Sequence, residues 1–483
     1  MHHDAPRVPP QQPATRAPEQ IRTAYARFTN DGLDRMDELI SQSRDYTSND
    51  SGHLAWDVAL LIRAALIAWE IEGGERRLDQ SVRWAERLLA TTDEARGAVD
   101  WQGLSRPLWS AGSRYNPGSA EVGRVGDRAL HLQASGRAVQ VRRTSDSTVT
   151  VAITRSDGSL WESPEASLLP QQANYLPDLL STQGAALSAQ LRGLTEEADL
   201  RGALSDAEIP LEPQQAAHLV HTGMICRALL MVADVLPDDS TRFISAAERA
   251  LRAHLHLLGV TDPGTDGIPF RLDQAYDFPS RRVGVALPHN QVADAATCLM
   301  KLSQLLDDPF LETIGRRMIA TEVADLSTEK PWRYYPQDSE AFTGVERNHP
   351  LYERRVTPVT RPEDSSHVTI RIRALSDWRD LVPELVADSD LERAGSVFQS
   401  DYLTSGPDGL TVRWTPDPSI APARCGYADS FSGAWTRLAP WHQSITTLVN
   451  TLAYQHPPDT VFGATVLSAA EIWQMNTAMQ RTA

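Results

Sequence analysis

The feature that most constrains the fold is a two-part helical pattern that recurs along the chain. Its first member, as in 54–71, is apolar on nearly all sides, and its second, as in 78–94, is apolar along one stripe. A helix that is apolar all round is buried between neighbours, whereas an amphipathic helix covers a core from outside. The pattern therefore predicts hairpins of one buried and one outer helix, which recur at 218–259, 289–326, 365–405 and 441–475.

Histidines stand at or near the start of each buried segment, and the later ones follow at intervals of 71 to 78 residues. Such a period indicates an array of equivalent helical units. About six hairpins predict a mainly α fold, an (α/α)6-type toroid whose buried helices form an inner ring. An open solenoid is the alternative, but it needs polar capping helices, and the last helix of this chain is apolar. The histidines concerned are His53, His218 or His221, His289, His367 and His442.

One stretch interrupts the helical pattern. Residues 128–165 alternate apolar and polar side chains between turn-forming pairs, which predicts a small antiparallel β insertion of three or four strands. A helical pair is expected after it, around 175–202. The first 19 residues are rich in proline and predict a disordered leader, so we expect one toroid domain over 20–483 with the β insertion inside it.

Composition excludes some classes of function. The formal net charge of −17 argues against sequence-independent nucleic-acid binding, which needs a basic surface. No run reaches the roughly 18 apolar residues that span a bilayer, so we expect a cytoplasmic protein without a membrane partner. Cys226, Cys298 and Cys425 lack the close spacing of metal ligands, which predicts buried free thiols, and we predict no metal or other cofactor.

The predicted hairpins place the functional site at one end of the ring. Each return helix restores the direction of the chain, so the buried helices run parallel and their N-termini meet at one mouth. Free N–H groups and the helix dipoles favour an anionic ligand there, and the same field keeps histidine neutral and basic. A single histidine at a helix start is more often a packing residue. Carboxylates expected near the mouth are Asp294, Glu363, Asp364 and Asp429.

Three loops carry side chains suited to a sugar ligand, because aromatic faces stack on rings and arginine forks bind carboxylates or phosphates. The loop at 269–291 leads to His289 and Asn290. The long loop at 329–367 is the most informative, since loops of this length are uncommon unless they are functional or disordered. The aromatic and arginine residues concerned are Arg106, Trp109, Arg114 and Tyr115 in 100–118, and Trp332, Tyr334 and Tyr335 in 329–367.

The sequence Glu-Asp-Ser-Ser-His at 363–367 ends the long loop and begins a helix. A serine cap and two acidic residues at a helix start stabilise the helix by local chemistry alone. Local chemistry does not explain why His367 recurs as one of five equivalent histidines behind a loop that carries tryptophan and tyrosine. We therefore expect this helix start to lie at the rim of a site.

The order Trp332, Tyr334, Glu363, Asp364, Ser366 and His367 resembles that of α/α-toroid carbohydrate-active enzymes, the group of polysaccharide lyases, glucuronyl C5-epimerase-like proteins and six-hairpin glycosidases. The resemblance implies a lyase or epimerase that acts on an anionic carbohydrate. It implies proton transfer at C5 of a uronate by Tyr334 or Tyr335, His367 and His289. It also implies that Asn290, Arg106 or Arg114 neutralises the uronate carboxylate.

Other functions stay open. A glycosidase would use Asp364 with Asp294 or Asp429. A terpene-cyclase-like toroid could use Asp307, Asp308 and Glu312, although Asp-Asp-Pro also suits a helix start. His218 and His221 share a helix face that could hold a metal, and a non-catalytic scaffold would keep the histidines as structural residues.

We expect a small-molecule or oligosaccharide ligand. The predicted catalytic residues are His367, His289, Tyr334 and Asp364, and the predicted binding residues are Asn290, Arg106, Trp109, Arg114, Tyr115, Trp332, Tyr335, Glu363, Asp429 and His442.

Overall fold

The protein is mainly helical, with small antiparallel sheets. The structure is a computed structural model, and no helix in the part of the chain that it describes is long and apolar enough to cross a membrane. The described residues are 17–100, 102–112, 115–155, 157–182, 190–194, 198–212, 214–258, 285–328, 332–337, 339–344, 358–406, 409–417, 419 and 428–482.

The helices follow the predicted hairpin pattern except in the last hairpin, which is described below. After the opening helix, a π-helical turn at Leu54–Val58 leads into the first buried helix. A 3-10 helix at Asp429–Leu438 precedes the last two α-helices. The α-helices are α1 (Ala17–Gln42), α2 (Ala59–Glu72), α3 (Glu75–Ala90), α4 (Asp93–Arg96), α5 (Leu176–Thr182), α6 (Leu219–Val235), α7 (Thr241–Leu257), α8 (His289–Leu306), α9 (Pro309–Thr328), α10 (Glu340–Thr343), α11 (Ser365–Leu381), α12 (Asp388–Val397), α13 (Ser444–Gln455) and α14 (Gly463–Thr482).

Local chemistry explains where several helices end. Gly73 and Gly74 have φ values of 69° and 82°, a region that glycine adopts without steric cost, and they separate α2 from α3. At the start of α11 the side chain of Asp364 accepts hydrogen bonds from the backbone N–H groups of Ser366 and His367. The predicted cap of this helix is therefore the aspartate and not one of the serines, because the carboxylate reaches the second and third helical residues.

Six buried elements pack against one another in series. α2 contacts α6, α6 contacts α8, α8 contacts α11, α11 contacts the 3-10 helix, this helix contacts α14, and α14 contacts α2. Outer helices α3, α7, α9, α12 and α13 contact members of this series, and α1 lies against α14. The core made by these helices is one continuous apolar cluster.

The last predicted hairpin was assigned the wrong way round. The segment at 441–456 was expected to be the buried member, but α13 is half-exposed and packs on the 3-10 helix, whereas α14 is buried between α2, α1 and the 3-10 helix. The 3-10 helix itself was not predicted. Its Gly433 lies so close to α14 that an added Cβ would overlap the Ser468 carbonyl, so only glycine permits this crossing.

The β region is larger than the predicted 128–165. β1, β2 and β7 form one antiparallel sheet in the order β1-β2-β7, and a second has the order β5-β4-β3-β8 with β6 paired to β4. A separate apolar cluster lies beneath these strands. The helical pair expected at 175–202 was wrong for the described residues, where only α5 is helical and β7 is a strand. The strands are β1 (Gly118–Val125), β2 (Arg128–Ala134), β3 (Ala138–Arg143), β4 (Thr148–Thr154), β5 (Leu160–Glu162), β6 (Ala166–Ser167), β7 (Gln190–Arg192), β8 (Glu208–Pro210), and the hairpin of β9 (Leu403–Gly406) and β10 (Gly409–Val412).

Candidate functional site

A pocket of about 470 Å³ lies where the six buried elements meet. Each of them contributes side chains, and α2, α11 and α14 contribute from their N-terminal ends. A volume of this size suits a small-molecule ligand. The lining residues used below are His53, Trp56, Asp57, Arg63, Tyr115, Asp294, Ser366, His367, Arg373, Phe431 and Phe462.

His367 and Asp364 form an acid–base pair at the pocket wall. The Nδ1 of His367 lies 2.7 Å from Oδ2 of Asp364, while Oδ1 accepts from the backbone of Ser366 and His367. Burial opposes ionisation of Asp364, but the hydrogen bonds from His367 and Ser366 outweigh it and lower its pKa to about 2. An ionised carboxylate only accepts hydrogen bonds, so Nδ1 of His367 carries a proton, and Nε2 is the nitrogen that holds the lone pair in the neutral imidazole.

A second pair of the same kind lines the same pocket. The Nδ1 of His53 lies 2.7 Å from Oδ2 of Asp57, one helical turn further along the chain. Asp57 also accepts from Tyr46 and from the backbone N–H of Gly463, so its position is held from α14 as well. In the described part of the chain neither His53 Nε2 nor His367 Nε2 has a hydrogen-bond partner. The pocket therefore holds two imidazoles, each oriented by a carboxylate.

Aromatic rings connect these histidines to two more. The ring of Trp56 lies edge-on to His367 and to His221, with centroid distances of 6.3 and 6.1 Å. Tyr115 lies edge-on to His221 at 4.7 Å, and its ring is 5.9 Å from that of His218. Tyr115 was predicted as a binding residue and does line the pocket. A wall of this kind offers flat faces to a ring-shaped ligand.

Three charged lining residues are almost fully buried, and we call this part of the wall the floor of the pocket. Arg63 and Arg373 reach the pocket from α2 and α11, and Asp294 reaches it from α8. Arg373 pairs with Glu471 through Nε and Nη2 at 2.8 and 2.9 Å, and Asp294 is bound by Arg227. The floor thus consists of buried ionic groups on the inner helices.

His289 does not line the pocket, although it was predicted to be catalytic. It is fully buried, with Nδ1 2.6 Å from Glu322 and Nε2 3.0 Å from Asp325. Burial alone would lower the pKa of His289, but the two carboxylates outweigh burial and raise it to about 9. A protonated imidazole held by two carboxylates has no lone pair, so His289 cannot act as a base at neutral pH.

The charged state of His289 predicts a pH-dependent stability. Because its folded pKa of about 9 exceeds the ordinary 6.5, its contribution is complete below pH 6.5 and is lost as the pH rises through 9. We expect the free energy of unfolding of the wild type, relative to His289→Gln, to fall by about 3 kcal/mol between pH 6 and 10. Chemical denaturation at each pH measures this difference.

His254 provides a matched control for that experiment. It is also fully buried, but burial lowers its pKa to about 3, so it is neutral over the same range. The free energy of unfolding of the wild type, relative to His254→Gln, should therefore rise by about 1 kcal/mol between pH 6 and 8, as the unfolded imidazole loses its proton, and stay constant from pH 8 to 10. A difference for His289→Gln that does not fall between pH 6 and 10 would contradict the assigned charge.

The predicted residues of the long loop lie behind His367. Tyr334 is nearly buried, and its ring centroid is 5.3 Å from that of His367 and 5.0 Å from that of Tyr335. Trp332 is buried, with the Arg371 guanidinium 5.7 Å above its ring. Glu363 is buried and bonded to Arg371 at 2.6 Å, so it and Trp332 support the wall without lining the pocket. Asn290 is buried next to His289 and does not line the pocket either.

Arg114 and Cys425 lie outside the described residues. The remaining predicted residues lie away from the pocket. Arg106 is paired with Asp100 at 2.8 Å, and Trp109 is buried, with its Nε1 donating to the Leu88 carbonyl. Asp429 accepts from Thr411 and from the Val412 backbone, which ties β10 to the 3-10 helix. His442 was predicted as an inner-helix histidine, but it precedes the outer helix α13 and packs on Gly395.

The residues considered as alternative metal ligands, Asp307, Asp308 and His218, have local structural roles. Asp308 accepts from the backbone N–H groups of Phe310 and Leu311 at the start of α9, and Asp307 ends α8 in the left-handed region. His218 Nε2 lies 2.8 Å from Asn116. Among the residues that the structure describes, no group of three potential metal ligands comes together. Cys226 and Cys298 are buried free thiols, as predicted.

Two sets of functional candidates were missed. Asp57 follows His53 by four residues, which is a recognisable i, i+4 pair on one helix face. Arg63 stands inside the strongly apolar α2 and Arg373 stands inside the buried α11, and an arginine is rarely buried without a charged or polar environment to receive it. A charged residue within a helix that is predicted to be buried was therefore the available indication.

Comparisons with known proteins add nothing to this geometry, since no protein-family model, curated protein or solved structure matches the chain.

Proposed function

We propose that the protein is an enzyme that uses acid–base chemistry on an anionic carbohydrate, as a lyase or epimerase, in the funnel of an α/α toroid. The series of contacts from α2 through α14 and back to α2 supports a closed ring of six buried helical elements. The pocket at their N-terminal ends would then be the funnel of this ring.

The observation that carries the proposal is the His367–Asp364 pair at the pocket wall. Its Nε2 is the nitrogen that would act as the base, and the carboxylate would stabilise the imidazolium that forms when Nε2 takes a proton. The hydrogen next to the carboxylate of a uronate is acidic enough for such a base to remove. Elimination follows if the neighbouring C4 substituent leaves, and epimerisation follows if a proton returns to the other face.

The His53–Asp57 pair supplies the second proton-transfer group that both reactions need. In elimination it would protonate the leaving oxygen, and in epimerisation it would return a proton to carbon. Hydrolysis by two carboxylates fits less well, because Asp57 and Asp364 are each held by a histidine and Asp294 is held by Arg227.

The charge of the pocket favours an anionic ligand. Arg63 and Arg373 line it, and α11 and α14 begin at this end of the bundle, where their helix dipoles favour negative charge. Trp56, Tyr115, Phe431 and Phe462 offer apolar faces for a sugar ring. Arginines that bind an acidic group, together with aromatic faces that stack on a ring, suit a uronate better than a prenyl diphosphate, because binding of a diphosphate requires metal ions.

A panel of oligosaccharides tests the proposal. We expect turnover of chains that contain glucuronate, iduronate, galacturonate, mannuronate or guluronate, and none of neutral glucose chains of equal length. Ultraviolet absorbance reports an unsaturated elimination product, and deuterium uptake at C5 in D₂O reports epimerisation. Release of reducing ends without either result would identify a hydrolase and contradict the proposal.

A further inference from the structure

Arg63 is the under-paired arginine of the pocket floor. Its side chain is buried, at 2% exposure, and lines the pocket from α2. The Nη2 atom has no hydrogen-bond partner among the described residues, and its Nη1 lies 3.6 Å from Oδ2 of Asp294, too far for a hydrogen bond. A buried guanidinium without hydrogen bonds is costly unless another group completes its environment.

The other buried arginines of the floor are fully engaged. Arg227 bonds to both Asp294 and Asp377, and Arg373 forms two parallel bonds to Glu471. Burial, together with the nearby positive charges of Arg227 and Arg373, lowers the pKa of Arg63 to about 9. Burial is the main cause of the lowered pKa, and Asp294 and Glu471 offset only part of it.

The ion pairs of the floor contain unequal numbers of charges. Four guanidinium groups meet three carboxylates, which leaves one positive charge in excess. Arg63 and Arg437 are the weakly paired members, at 3.6 and 3.7 Å from their carboxylates, and of these two only Arg63 lines the pocket. The groups concerned are Arg63, Arg227, Arg373 and Arg437, with Asp294, Asp377 and Glu471.

We propose that Arg63 binds the single anionic group of the ligand at the floor of the pocket, and that this group is a monoanion such as a carboxylate. A carboxylate would accept from the Arg63 guanidinium and supply the one missing negative charge, whereas a phosphate monoester would add two. This inference rests on the proposed function of the pocket and assigns to Arg63 the role that was predicted for Asn290, Arg106 or Arg114.

Binding of matched probes tests the assignment. The probes are sodium glucuronate, glucose and glucose 1-phosphate, with sodium acetate as the smallest carboxylate, and calorimetry measures their affinities. We expect glucuronate to bind at least tenfold more tightly than glucose or glucose 1-phosphate. Arg63→Leu should weaken glucuronate at least tenfold and leave glucose unchanged, while Arg63→Lys, which keeps the charge but not the fork, should weaken it less.

Arg106→Gln is the control, because Arg106 is a paired arginine away from the pocket, and it should leave all affinities within twofold. The melting temperature of Arg63→Leu should not fall, since the substitution removes an under-paired buried cation; Arg63→Lys serves if Arg63→Leu does not fold. Glucuronate binding that survives Arg63→Leu within twofold would overturn the assignment, as would tighter binding of glucose 1-phosphate.

The outcomes separate this assignment from the proposed function. If acetate binds and Arg63→Leu abolishes its binding, but glucuronate neither binds nor reacts, the floor site stands and the carbohydrate proposal fails. If Arg63→Leu binds and turns over a uronate as the wild type does, the proposed function stands and the floor site is wrong.

Discussion

Replacing His367 with alanine should lower turnover of a uronate substrate by roughly 10²- to 10⁴-fold, the usual contribution of one general base. Asp364→Asn should lose nearly as much for a geometric reason. The Oδ1 of Asp364 accepts from two backbone N–H groups, so the amide oxygen of asparagine must occupy that position. The amide NH₂ then faces His367 Nδ1, which moves the imidazole proton to Nε2 and removes the base from the pocket.

The measurement is kcat and kcat/KM on the substrate that the oligosaccharide panel identifies, with circular dichroism to show that each variant is folded. His442→Ala is the matched control, because His442 belongs to the same sequence pattern but lies on Gly395 beside α13. We expect it to retain wild-type turnover. Full turnover by a folded His367→Ala variant would show that the site has been assigned to the wrong residues.

Replacing Arg371 with methionine should destabilise the fold by about 3–5 kcal/mol, a large share of the typical stability of a protein. Arg371 is buried and pairs with Glu363 at 2.6 Å, Glu322 at 3.2 Å and Asp325 at 3.7 Å. Its removal leaves Glu322 and Asp325 with His289, and it leaves Glu363 without an ion pair among the described residues. Unpaired charges in the interior cost far more than lost surface pairs, so the effect comes from the groups left behind.

Denaturant midpoints and slopes measure this loss, and Arg83→Met is the control. Arg83 pairs with Asp37 at 2.8 Å on the exposed surface, where such a pair contributes about 0–1 kcal/mol. Adding Glu363→Gln to Arg371→Met should recover part of the lost stability, since it removes one of the stranded charges. A loss below about 1 kcal/mol for Arg371→Met would show that water reaches this cluster and that it is not a buried network.

The helices were predictable because their causes lie within the segments that form them. α8 begins at His289 and ends at Leu306, the bounds that apolar periodicity predicts, and α11 begins at Ser365 behind its acidic cap. The buried thiols of Cys226 and Cys298 follow from their positions in apolar runs. The 3-10 helix at Asp429–Leu438 escaped prediction although Phe431, Ala434, Trp435 and Leu438 recur at helical spacing, because the segment is short and lacks a long apolar run.

The environment of each histidine could not be predicted, since it depends on residues that are distant in the sequence. His367 and His289 occupy equivalent places in the helical repeat, yet one has a carboxylate three residues before it and the other is enclosed by Glu322 and Asp325 of α9. The first therefore borders a pocket with one carboxylate on its Nδ1, and the second is a buried cation between two carboxylates. Equivalent positions in a repeat therefore did not imply equivalent chemistry.

The amino-acid sequence by itself determined the helical character of the chain, the pairing of buried with outer helices in the first four hairpins and the start of α11 at Ser365, because these depend on periodicity and on contacts within a few residues. Only the tertiary structure decided that α14 and not α13 is buried, that His53 and His367 border one pocket, and that Arg63 lies under-paired at its floor. These properties depend on burial and on charges from elements far apart in the chain, and a local pattern does not carry that information.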